Sequence, residues 1–195
     1  HLAMYQKLAQ GVAKKLFPSV SLDRFYAKEN PDPLIYCHFA EGDLTDKLYD
    51  EITSFEALGN ILNNALKEYN EINAVMDLVL FIDAMKHRCR VTRVINNSGG
   101  HALLVGVGGM GKRSLARLAA YICAFSLELI TITQTYGIAD LKEDLQKFYW
   151  KAGVKGQGVL FLFTDSQITK ERFLIYINDL LASGRIPDLY EVDQR

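Results

Sequence analysis

The chain has 195 residues, 49% of them hydrophobic, and a formal net charge of -1. That length suits one globular α/β unit with a sizeable core. No apolar run approaches the roughly 20 residues that a bilayer-crossing helix needs, and no signal-peptide pattern opens the chain. Near-neutral charge removes the electrostatic case for nucleic acid or an acidic membrane as partner.

Cys37, Cys89 and Cys123 are far apart and odd in number, which argues against a disulfide framework. His38 follows Cys37 and His87 lies near Cys89, but neither pair has a second pair at zinc-ligand spacing, so no metal ligands are assigned. A reduced, cytoplasmic setting is expected. The chain begins at His1 and stops at Arg195 just after a fresh acidic segment, so it reads as a piece of something longer.

Residues 1–44 are expected to form an extension or linker, and residues 45–195 the main domain. In the extension, Leu8, Val12 and Leu16 are spaced to line one helical face before Pro18. Lys28 to Pro33 is a turn-rich connector, because proline removes a donor and pushes its predecessor out of the helical region. Leu34 to Phe39 is expected to be a short extended stretch.

From Thr45, Leu48, Ile52, Phe55, Leu58, Leu62, Leu66 and Tyr69 recur at three- and four-residue spacing, which predicts a helix. A second helix is expected over Ile72 to Ile95, through Met76, Val79, Leu80, Val91 and Val94, closed by Ser98-Gly99-Gly100. On it Lys86, Arg90 and Arg93 share a face, with Arg88 nearby; a solvated face is the ordinary reading of such a group. These two helices make a lead-in over 45–97.

Over 101–195 strand and helix alternate. His101 to Val105 is predicted as a strand and Lys112 to Ala124 as a helix with Leu115, Leu118, Ala119 and Ile122 inward. Leu127 to Thr133 is rich in β-branched residues and predicts a strand. Ala139 to Lys151 predicts a helix burying Leu141, Leu145 and Phe148. Val159 to Phe163 predicts an apolar strand, and Thr169 to Ala182 a helix burying Phe173, Ile177, Leu180 and Leu181. Such alternation implies a parallel sheet flanked by helices on both faces, with ligands at the carboxyl ends of its strands.

Gly106-Val107-Gly108-Gly109-Met110-Gly111-Lys112 matches GxxxxGK between a predicted strand and a predicted helix. Glycines let successive backbone N–H groups curl inward as an anion nest. The helix N-terminus adds partial positive charge, and Lys112 is long enough to reach β- and γ-phosphates. One position departs from the motif. The residue after the lysine is ordinarily Ser or Thr, whose hydroxyl binds magnesium. Here it is Arg113, and Ser114 lies a further ~100° around the helix. ATP or ADP is the expected ligand; magnesium belongs to the motif's usual chemistry, but its coordination is put in question.

Val159 to Ser166 has the form of the second P-loop motif, an apolar strand ending in an acid. There an Asp usually orients magnesium and a following Glu polarises water. Only Asp165 is present, so either it stands on the magnesium side with Ser166 in the base's place, or Thr164 has replaced that acid and Asp165 is a shortened base. Both weaken hydrolysis, because a displacement near 1 Å costs about a hundredfold in rate.

The stretches GHALLVGVGGMGKRSLARLAAYI, FLFTDSQI and INDLLASGRIPDLY resemble the fourth AAA+ module of a dynein heavy chain, and YNEINAVMDLVLFIDAMKHRCRVTRVI resembles its helical lead-in. The resemblance spans about Phe39 to Tyr190. The FTDS ending is more similar to axonemal dyneins than to cytoplasmic ones. Aligned on the flanking phenylalanines and Ser-Gln-Ile, it puts Thr164 in the Asp place and Asp165 in the Glu place.

The resemblance implies a P-loop NTPase of the AAA+ large-subdomain type, with the small lid subdomain absent from this chain. It implies one nucleotide-binding module in a ring of six, regulatory or structural, with little hydrolysis. It also implies an adenine-contacting segment near Leu78 to Phe81, carried here by Val79 and Leu80. Implied partners are neighbouring AAA+ modules of the same heavy chain, intermediate and light chains at the level of the complex, and microtubules only through the whole motor. The implied setting is the cytoskeleton of a ciliary or flagellar axoneme.

Overall fold

In this computed structural model the described residues are 2–20, 35–42 and 48–190. The expected connector at Lys28 to Pro33 and the boundary between residues 44 and 45 lie outside them.

The first helix, α1 (Leu2–Leu16), carries Leu8, Val12 and Leu16 on one face as their spacing predicts, but all three are exposed. The extended stretch resolves into β1 (Tyr36–Cys37), paired antiparallel with β2 (Asp50–Glu51). The helix expected from Thr45 therefore begins later, as α2 (Phe55–Ile72). Ser54 sets that start: its extended backbone and its Oγ, accepting from the Ala57 N–H at 3.1 Å, satisfy one orphan donor of the first turn. α2 buries Leu58, Leu62, Ala65 and Tyr69.

The second helix, expected over about Ile72 to Ile95, starts later. Residues 73–81 are irregular, and α3 spans Ile82–Asn96. Asn70 holds the break: its Oδ1 accepts from the Met76 N–H at 2.8 Å and its Nδ2 donates to the Met76 carbonyl at 3.1 Å. A side-chain amide here supplies the two bonds that a helical backbone would have made.

α4 (Lys112–Ile122), β3 (Ser126–Glu128), α5 (Ile138–Gly153), β4 (Val159–Phe161) and α6 (Arg172–Ser183) complete the order, with a single 3₁₀ turn at Asp165–Gln167. β3 and β4 run parallel, with Leu127 opposite Leu160. Both predicted strands are longer than the observed ones, because ladder bonding fixes a strand's length and only three registers are paired. In α6 the buried face is Phe173 and Tyr176, while Leu181 is exposed.

One expected strand is not formed. Residues 101–107 carry no ladder among the described residues, and Leu103 and Val105 are 90% and 86% exposed. A β-strand exists through its neighbour's hydrogen bonds, and β-propensity alone does not supply them. Leu104 nonetheless packs on Val91, Ile95, Ala119 and Cys123, which anchors the segment against α3 and α4.

Three apolar clusters organise the rest. The first joins β1, α2, α3 and α4 through Cys37, Phe39, Leu58, Leu62, Met85 and Leu118. The second joins β4, α5 and α6 through Leu141, Leu145, Phe148 and Phe173, with Phe161 packed against it. The third lies between α3 and α4 and receives Leu160. Alternate residues of β4 thus enter clusters on opposite faces, as a sheet covered on both sides requires. The three cysteines are buried and free. The thiols of Cys37 and Cys89 hydrogen-bond each other, which holds Cys37 below and Cys89 above the ordinary thiol range.

Candidate functional site

The loop Gly106 to Gly111 leads directly into α4, whose first residue is Lys112. Gly109 and Gly111 have φ of 81° and 72°, the left-handed region that an L side chain resists. A Cβ at Gly108 would meet nothing within 4 Å, so the loop's face is open there. Among the described residues, the N–H groups of Gly106 to Ser114 make no backbone hydrogen bond outside the helix, and the first turn closes with Leu115 N–H to Gly111 carbonyl at 2.8 Å. A row of unspent donors at a helix N-terminus is what an anion needs.

Lys112 folds back over its own loop. Its Nζ donates to the carbonyls of Gly106 at 2.6 Å and Val107 at 2.8 Å. The ammonium therefore sits at the loop's mouth, beside Met110 and the backbone of Gly106. Val107 and Met110 are themselves exposed.

Arg113 does something the motif does not prescribe. Its Nη2 donates to Thr164 Oγ1 at 3.3 Å and to Ser166 Oγ at 3.1 Å, joining the first turn of α4 to the segment after β4. Thr164 caps the 3₁₀ turn: its N–H donates to Gln167 Oε1 at 2.8 Å and its hydroxyl donates to the same atom at 3.0 Å. Gln167 in turn donates through Nε2 to the Ile130 carbonyl at 2.6 Å. Asp165 is exposed, and its carboxylate has no partner among the described residues. Ser114 is half-buried on α4.

Of the two residues expected near an adenine, Val79 is 78% exposed and Leu80 packs into the first cluster. Leu78 lies against the loop: a Cβ on Gly111 would be 3.4 Å from its Cδ1. Spacing could not single it out, because the segment is irregular and has no face to count along. Gln167 and Ser166 are the other residues that the motif missed as supports; the Thr164-to-Gln167 spacing, a capping-box pattern, was the available signal. The basic face on α3 is also not uniformly solvated. Lys86 lies over the Phe55 ring and Arg93 over the Tyr49 ring, whereas Arg88 is fully buried.

A glycine nest at a helix N-terminus, facing the segment that leaves a parallel strand, defines a P-loop nucleotide-binding domain of α/β architecture. Residues 76–195 match the family described as the P-loop containing dynein motor region D4, and the chain belongs to that family. It is similar to the dynein alpha chain of the flagellar outer arm of Chlamydomonas reinhardtii, 57% identical over 194 residues and 100% of this chain. It is 51% identical over 190 residues, 97% of its length, to the ciliary dynein beta chain of Tripneustes gratilla. To human dynein axonemal heavy chain 9 it is 47% identical over 191 residues, 98% of its length. The chain spans 4% of the length of each of these relatives.

Proposed function

We propose that this chain is a nucleotide-holding AAA+ module of an axonemal dynein heavy chain, regulatory or structural in a ciliary or flagellar microtubule motor, with little or no hydrolysis of its own. The observation that supports binding is the row of unspent N–H groups over Gly106 to Ser114, with the Lys112 ammonium at its mouth. ATP or ADP would place its phosphates on Gly106 to Lys112, and Lys112 would exchange two carbonyl partners for phosphate oxygens. Leu78 is the side chain best placed to border the rest of the nucleotide.

The same geometry argues against fast turnover. Thr164 carries no charge, and its hydroxyl is already bonded to Gln167 and Arg113. Asp165 is a single, exposed carboxylate one methylene shorter than Glu, and a nucleophile misplaced by ~1 Å loses about a hundredfold in rate. Neighbouring modules of the same heavy chain, and intermediate and light chains of the complex, are the proposed partners; microtubules are reached only through the whole motor.

The alternative is a module that supplies ring interfaces without using nucleotide. The exposed apolar side chains of Leu103 and Val105 favour it, since they mark a surface built to be covered. Hydrogen–deuterium exchange of residues 106–115 in the intact heavy chain separates the two. Saturating ADP or ATP should slow exchange there in the wild type. Lys112→Ala should raise the nucleotide concentration at half-protection by about 10- to 100-fold, the range of a lost charge-assisted hydrogen bond. Unchanged exchange in the wild type would remove the nucleotide reading and leave the interface one.

A further inference from the structure

We propose that the Arg113 guanidinium takes the place of the divalent cation in this site, so that the loop holds nucleotide without magnesium. The inference deepens the nucleotide-holding reading and rests on it.

A P-loop magnesium site needs oxygen donors from both sides: a hydroxyl after the loop lysine and a carboxylate at the end of the facing strand. Neither is present here in usable form. The position after Lys112 is Arg113, and Ser114 is turned by ~100° from it along the helix. Across the site the alignment with dynein modules puts Thr164, a neutral hydroxyl, in the acid's place, and the one nearby carboxylate, Asp165, is a residue further on and exposed. Magnesium demands near-octahedral oxygen coordination at roughly 2.0–2.1 Å and sheds its waters reluctantly, and this donor set does not fit it.

What bridges the two sides instead is a cation that the chain carries. Arg113 starts from the first turn of α4 and ends at Thr164 Oγ1 and Ser166 Oγ, at 3.3 and 3.1 Å. Of these acceptors, Thr164 is held in place from behind. Gln167 fixes Thr164 through two bonds and is itself tied to the Ile130 carbonyl. Arg113 is exposed, but its guanidinium is held towards the strand side by these two bonds.

The guanidinium has five N–H donors in a rigid fork, and both bonds to the strand side leave through Nη2. Its remaining donors match a pair of phosphate oxygens, the geometry in which arginine binds phosphate bidentately. This positive charge is carried by the chain itself and does not depend on metal supply. It also repels a divalent ion that approaches the same gap, so the substitution excludes magnesium as well as replacing it.

The test uses the intact heavy chain and ADP, read as the nucleotide concentration that half-protects residues 106–115 from hydrogen exchange, with excess magnesium or with EDTA. In the wild type the two values should agree within about threefold. Arg113→Thr, which removes the cation, should bind about tenfold more weakly in EDTA. Arg113→Lys, which keeps a cation without the fork, should fall between Arg113→Thr and wild type in EDTA. Unchanged exchange in helices α5 and α6 checks that the variants remain folded. Wild-type protection that vanishes in EDTA and returns with magnesium overturns the proposal while leaving the nucleotide reading intact, as does Arg113→Thr binding like wild type in EDTA. No protection under either condition overturns both.

Discussion

Arg88 is completely buried on α3, and its Nε, Nη1 and Nη2 have no hydrogen-bond partner among the described residues. Taking a guanidinium out of water without a counter-charge is among the more costly things a fold can do. Burial accordingly pulls its pKa down to about 10 from the ordinary 12.5, with the Cys89 thiol opposing the shift only in part. A base whose folded-state pKa is depressed destabilises the fold in full below that pKa, and the penalty is relieved as pH rises from about 10 towards 12.5. At neutral pH the whole cost is therefore present. Arg88→Met, which keeps the stem and removes the charge, should stabilise the chain by about 1–3 kcal/mol in urea denaturation at pH 7. A loss of stability would mean that the guanidinium has a partner in solution. Sequence could not have singled this residue out, since Lys86, Arg88, Arg90 and Arg93 look alike until packing decides which one faces inward. Arg113 was flagged as a departure from its motif, but not as a bridge, because its acceptors Thr164 and Ser166 lie fifty residues away along the chain.

Among the elements, the strand pair is set by a residue with no side chain. Gly158 immediately precedes β4, and its carbonyl accepts from the Ser126 N–H at 2.7 Å, which opens the β3–β4 ladder. A Cβ there would fall on Cδ1 and Cε1 of Phe125, far closer than carbon atoms approach one another. Phe125 also packs into the third cluster, so it cannot swing aside without opening that cluster. Gly158→Ala should therefore destabilise the chain by about 1–3 kcal/mol, the range for overpacking, with a lower urea midpoint. Adding Phe125→Leu should recover part of the loss, because neighbours in contact are not additive. A neutral Gly158→Ala would show that the ladder start yields freely. Helices with a strong apolar period, such as the one burying Leu141, Leu145 and Phe148, were legible from sequence almost to their ends. Strand lengths were not, because they depend on which neighbour is there to bond. Two helices were expected here, but the irregular stretch 73–81 between α2 and α3 was hidden, since the Asn70 side chain that holds it leaves the apolar period unbroken.

For the molecule as a whole, the segment leading into the phosphate loop remains half in and half out of the fold. Leu104 is packed, while Leu103 and Val105 on either side of it point to solvent at 90% and 86% exposure. Its alternation is that of a strand with one face buried, and among the described residues no strand lies beside it to use its backbone groups. An apolar, unpaired extended segment is a template for pairing with another chain. The α1 face of Met4, Leu8, Val12 and Leu16 adds a second exposed apolar surface, and a net charge of -1 supplies almost no repulsion between copies. On its own, this chain should therefore self-associate at micromolar concentration, seen as a concentration-dependent sedimentation coefficient. Leu103→Lys with Val105→Lys should shift it towards monomer, since charges on an exposed edge oppose pairing. The same double substitution leaves Leu104 and the glycines of the loop untouched, so the unfolding free energy from urea denaturation should stay within about 0.5 kcal/mol of wild type. Association that persists unchanged in this variant, and falls only when Leu8 and Val12 of α1 are made polar, would move the sticky surface from the strand-like segment to the helix.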